Sequence, residues 1–235
     1  MALQNFDQLN DFRKMAQKWF DVMDVTPEEK QARVDLSLDY CEIIIMLFLL
    51  ITEQEYEKEE CVAFTEERLR ILAERQIGKE NIAYINTWAK QKAKSIVDQT
   101  YEFYENEIED SSLEESEESD DMMHFEEFGV DVPKKEYGTS DFRAFLISIN
   151  LATTVTNFQE LSDAIDRGCT RKTWVTEGDD RVRDTHAAVN GQDIPINDLF
   201  VVGNSYMLMP GDENNGAEMK EVSNCRCHLV CYTNQ

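Results

Sequence analysis

Positive charge is what this chain lacks most. Its 235 residues hold 23 Lys+Arg against 48 Asp+Glu, a formal charge of −25, and Ser95 to Pro133 contains neither Lys nor Arg. Binding nucleic acid through its phosphates needs a basic face, so direct DNA binding is disfavoured. Such a balance suits solubility, a basic partner or mimicry of a polyanion. The most apolar run, Ile43–Ile51, is far short of the ~20 residues that cross a bilayer, so a buried helix is expected and no membrane. The opening MALQNFDQLNDF carries acids and no basic stretch, unlike a secretory leader. Cys41, Cys61, Cys169, Cys225, Cys227 and Cys231 are too scattered for the disulfide framework of a small secreted domain. A reduced cytoplasmic setting is the expectation. There is no Gly-rich phosphate loop and no H-E-x-x-H.

Helical periodicity dominates the first half. Leu3, Phe6, Leu9, Ala16, Trp19, Phe20 and Met23 recur at spacings of three and four. Thr26-Pro27-Glu28-Glu29 reads as a helix start, with Thr26 as cap and Pro27 in the first turn. Further helices are expected over 55–77, stopped by Gly78, and over 80–108. ENEIEDSSLEESEESDD, from Glu105 to Asp121, is like-charged and poor in apolar residues, so about 106–122 cannot offset its ordering entropy by burial. Met122–Val132 regains apolar residues that can dock on another surface, and His124 there reads as solvated or packed. Thr139 or Ser140 caps the next helix, which Gly168 ends. Strands are expected at Thr170–Thr176 and Ser223–Tyr232, with a hairpin from Leu199 to Met209 around the loop Gly203-Asn204-Ser205. The expected fold is therefore α+β. It has an N-terminal helical bundle (1–105), an acidic disordered linker (106–135) and a small C-terminal α+β domain with a short antiparallel sheet (136–235).

The stretch from Trp174 to Cys227 differs from the rest. It concentrates Trp, Arg, His and Cys among turn residues in an otherwise acidic chain. Asp179 or Asp180 is placed to cap a short helix in which Val182, His186 and Val189 share one face. His186 would then point inward, and Asn190-Gly191 would end the helix. The order of Trp174, Thr176, Asp179, Asp180, Arg181, Arg183, His186, Gly191, Phe200, Pro210, Asp212, Glu221, Asn224, Cys225, Arg226 and Cys227 resembles the phage Mu F-like minor head proteins, also called phage head morphogenesis proteins. The resemblance covers roughly 145–232, and the T-x-x-x-N from Thr153 to Asn157 fits it loosely. It implies a minor head protein of a tailed phage or prophage, found in the virion head and in the host cytoplasm during assembly. Its implied partners are the portal protein and capsid or scaffold proteins, with an effect on DNA packaging or ejection.

Two chemistries are open to the residues of this stretch. Cys225, Cys227 and His186 are zinc-ligand types. In a regular strand, however, Cys225 and Cys227 would stand about 6.6 Å apart, whereas sulfurs on one zinc lie about 3.8 Å apart. The simpler reading is a row of small core residues formed by Cys225, Cys227, Leu229 and Cys231, with His228 facing the other way and no cofactor. Alternatively, His186 with Asp180, Arg181 and Arg183 supplies a general base and cationic stabilisers, as a toxin-like metal-independent nuclease or transferase requires. The simpler reading there is a structural network in which an arginine pairs with Asp184 or Glu221. Three functions follow: assembly protein, nuclease-like enzyme, and acidic module mimicking nucleic acid.

Overall fold

The structure, a computed structural model, describes residues 6–54, 56–111, 122–125, 128 and 130–233. Four helices come first: α1 (Phe6–Asp21), α2 (Pro27–Thr52), α3 (Lys58–Ile77) and α4 (Ile82–Ser111). At the start of α2 the Thr26 hydroxyl accepts from the Glu29 N–H at 3.1 Å. Pro27, Glu28 and Glu29 fill the first turn, where a missing N–H costs nothing and acids favour the helix dipole. The apolar run Ile43–Ile51 lies inside α2 as expected, but only part of it is core. Ile44, Leu47, Phe48 and Ile51 are buried, while Met46 and Leu49 are exposed.

The acidic segment departs from expectation at both ends. α4 continues through 106–111; residues 112–121 lie outside the described residues. After them comes a hairpin, β1 (Met122–Phe125) paired antiparallel with β2 (Val130–Pro133). Its apolar residues dock as the sequence suggested. Phe125 meets Phe142 at 4.7 Å, and Phe128 stacks on Trp19 at 5.5 Å. His124 is exposed and contacts Asp131 at 2.5 Å across the hairpin.

The helix that organises the fold is α5 (Asp141–Asp166), capped by the Ser140 hydroxyl, which accepts from Arg143 N–H at 3.1 Å. It packs along α2 and is buried on most of its surface. Its threonines tolerate this because Thr153 and Thr156 return their hydroxyls to the carbonyls four residues back. The buried apolar core runs without a break from Phe12 on α1, which stacks on Phe145, to Leu229 near the end of the chain. Lys92 of α4 pairs with Glu213, so the helical half also grips a C-terminal loop.

The remaining elements are β3 (Arg171–Val175), α6 (Asp184–Val189), β4 (Asp193–Pro195), β5 (Phe200–Val202), β6 (Ser205–Met207), α7 (Met219–Val222) and β7 (His228–Tyr232). β3 is central in an antiparallel sheet of order β4-β3-β7, with Trp174 opposite Leu229. The β5–β6 hairpin closes through two residues, Gly203-Asn204, and Ser205 already belongs to β6. The last strand begins at His228, not Ser223, because α7 and a turn take up the residues before it. Among the described residues no helix is long and apolar enough to cross a membrane.

Candidate functional site

One face of α5 positions the site. Asn150, Thr154 and Asn157 fall at i, i+4 and i+7, so they line one side of the helix. Each grips a C-terminal loop by its backbone. Asn150 Oδ1 accepts from Asn224 N–H at 2.5 Å, and the Thr154 hydroxyl donates to Gly211 O at 3.0 Å. The Asn157 amide donates to Pro210 O and Cys227 O, both at 3.1 Å. On its other side Asn157 Oδ1 accepts from Arg33 of α2, whose guanidinium also pairs with Glu29. Burial pulls that guanidinium below its ordinary value, while Glu29, Cys225 and Glu177 act against the shift.

The P-G-D turn folds on itself. The buried Asp212 carboxylate accepts from the N–H groups of Leu208 and Asn214 and from the Asn215 amide. Gly211 has φ +84°, and a Cβ there would stand 2.7 Å from the Thr154 hydroxyl, so both the conformation and the close approach require glycine.

Asn224, at φ +54°, reverses the chain just before Cys225-Arg226-Cys227. These three residues precede the strand, so strand alternation does not govern them. Cys225 and Cys227 turn inward beside His186 of α6. Cys227 Sγ is 3.3 Å and Cys225 Sγ 3.7 Å from His186 Nδ1. The three ligand-type atoms lie within 4.8 Å of one another. A His/Cys/Cys cluster able to hold a metal is therefore present, and the expectation of sulfurs spread along one strand face is corrected. The pair loses its first thiol proton readily, because Cys227 and His186 stabilise the Cys225 thiolate. The second is held, because that thiolate stands beside Cys227. Cys231, further along β7, is half-buried, and His228 is buried rather than outward-facing. Its Nδ1 is 3.4 Å from Glu177 Oε1.

Trp174 walls the cluster, its ring edge-on to His186 at 5.5 Å and to Phe200 at 5.3 Å. On the far side of the imidazole, Glu221 Oε2 is 3.3 Å from Nε2 and accepts from the Thr185 hydroxyl at 2.7 Å. Glu221 thus serves His186, not an arginine.

The proposed catalytic set does not assemble. Asp180 and Arg181 are exposed, Arg183 donates to Ser223 O, and the carboxylate facing His186 is Glu221 rather than Asp180. The short helix begins at Asp184, with Arg183 in the cap position and no side-chain cap bond. Asp179 instead holds Arg226 through two bonds of 2.7 and 2.8 Å, and that arginine keeps its carboxyl below the usual range. Gly191 donates its N–H to Trp174 O, and Asn190 Oδ1 accepts from Thr176 N–H, which ties α6 back to β3. Sequence reasoning missed Arg33, Glu177, Thr154 and the role of Glu221. The signal for Thr154 and Asn157 was polar residues recurring inside an otherwise apolar helix.

Lys172, the residue before this wall on the same face of β3, is buried. Its Nζ donates to Leu208 O at 2.7 Å and sits over the Phe200 ring. Burial lowers its pKa to about 8. Between that value and the unfolded value near 10.4 the unfolded chain holds a proton that the folded chain has released, so stability rises with pH in this window. Burial raises Cys231 to about 11 and Cys41 to about 12, which acts in the opposite direction. Urea titrations of wild type and Lys172→Met from pH 7 to 10 isolate the lysine. Wild type is expected to gain on the variant above pH 8, and parallel curves would exclude this assignment.

The chain matches no family model, no curated protein and no solved structure.

Proposed function

We propose that the chain is an assembly protein of a tailed-phage or prophage head, acting through contact with the portal rather than through catalysis. The reading starts from the resemblance carried by Trp174, His186, Pro210, Asp212, Asn224, Cys225 and Cys227. The observation that supports it is how those residues spend their chemistry. Trp174, Asp212, Cys225, Cys227 and His186 are all buried, His186 only 2% exposed. Pro210 and Asn224 bond to α5 through their backbone groups. Arg226 is committed to Asp179. A nuclease has to present its base and cations to a phosphodiester at an open site; here the base is enclosed and the arginines diverge from it.

On this reading the motif fixes the shape of the C-terminal part, and the surface around it carries the partner. The acidic balance favours a basic patch on portal or capsid over DNA. The test is a quantitative pull-down of the full chain with the portal protein encoded beside it, at low and moderate salt. The full chain is required because α2 and α5 share one core. Stoichiometric retention at both salts is the expected result. Failure to bind at either salt would overturn the reading, as would nucleic-acid cleavage lost in a stably folded His186→Ala.

A further inference from the structure

We infer that His186, Cys225 and Cys227 form a zinc site that fixes the Asn224–Cys227 turn against α6. The inference stands apart from the head-protein reading; either can fail while the other holds.

The nitrogen–sulfur spacings suit a tetrahedral ion. A zinc with Zn–N near 2.05 Å and Zn–S near 2.3 Å places nitrogen and sulfur about 3.6 Å apart. The two Nδ1–Sγ distances, 3.3 and 3.7 Å, bracket that value. Thiol hydrogen bonds account for the arrangement less well. The Nδ1 lone pair accepts one well-aligned donor, yet two sulfurs converge on it. One ion in place of two thiol protons serves all three atoms.

The surroundings are those of a ligated imidazole. Metal-bound histidines commonly turn their other ring nitrogen to a carboxylate, which fixes the tautomer. Glu221 occupies that place, 3.3 Å from Nε2 though off the line of a hydrogen bond, and Thr185 holds it there. The approach is built closely on its other flank as well. A Cβ on Gly203 would stand 2.9 Å from Glu221 Oε1.

Donor chemistry selects the metal. Two thiolates and an imidazole favour zinc over magnesium or calcium, which take oxygen ligands. With two thiolates and neutral His186 around Zn²⁺, the centre is uncharged. Three protein ligands leave a fourth position. Cys225 and Cys227 are 2% and 4% exposed, so that position is closed to a substrate.

The test uses the full chain, produced in zinc-supplemented medium and purified without chelator, with bound zinc measured directly. About one zinc per chain is expected, retained by Cys231→Ser and lost from Cys225→Ser and Cys227→Ser. Stripping the metal should lower Tm by roughly 5–10 °C, as loss of a ligand held near a hundred times its Kd would in a chain of this size. Should the serine variants fail to fold, Co²⁺ added to stripped wild type is decisive, because tetrahedral cobalt on thiolates gives intense visible and charge-transfer bands. Wild type that carries no zinc and shows no such bands overturns the proposal. So does zinc that persists in both folded serine variants.

Discussion

Trp174→Ala is expected to lower the free energy of unfolding by about 3–5 kcal/mol, the usual range for emptying a fully buried tryptophan site. Trp174 is among the largest side chains with no exposure, and its ring separates His186 from Phe200. Three elements meet there: β3, which carries it, α6 through His186, and β5 through Phe200. None of them can close the cavity alone. β3 is pinned between β4 and β7, and α6 is tied by the Gly191 N–H to the Trp174 carbonyl. Incomplete collapse puts the cost toward the upper end. Trp174→Phe keeps most of the contact area and should cost clearly less. Equilibrium urea unfolding measures both. A loss below about 1 kcal/mol for Trp174→Ala would mean that the motif's largest residue does not support the fold, and the assembly reading would lose its main structural support.

Where local sequence governs, the fold was legible. Thr26 and Ser140 announce their helices because a cap is a bond to a residue three positions on. Gly78 and Gly168 stop theirs at positive φ. Asp179 looked equally like a cap, but the helix begins five residues on, at Asp184, and the Asp179 carboxylate accepts from Arg181 N–H and from Arg226, 47 residues later. No local pattern announces a partner that distant. The cysteines failed for a related reason. Alternation holds only within a strand, and β7 begins at His228, after both cysteines and after the reversal at Asn224, whose φ is positive. Asparagine tolerates that conformation better than most residues, so the Asn before Cys-Arg-Cys was the available clue. His186 was correctly placed inward from its helical face. Its carboxylate was not identified, because Glu221 comes from α7, a single turn too short to show periodicity.

Asn157→Leu is the second large effect, expected at about 3–5 kcal/mol. The substitution keeps the size of the side chain and removes its polar atoms. Two buried carbonyls, Pro210 O and Cys227 O, then lose their donor, and Arg33 loses one acceptor. An unsatisfied buried polar group costs about 1–3 kcal/mol, so two carbonyls alone reach most of the expected loss. Arg33 adds to it, being fully buried with its Nη1 already without a hydrogen bond. Asn150→Leu is the internal comparison. Asn150 sits two turns earlier on the same face but is half-exposed, so water can replace its bond to Asn224 and the loss should stay near 1 kcal/mol. A double-mutant cycle with Arg33→Met, read by urea unfolding, should show coupling of at least about 0.5 kcal/mol, as expected for residues in one hydrogen-bond network. Additive losses would mean that Arg33 and Asn157 act independently and that α2 does not reach the motif through this amide. Coupling would mean that a single amide on α5 joins α2 to both the Pro-Gly-Asp turn and the Cys-Arg-Cys turn, so that a change on the helical surface can reach the cluster through one side chain.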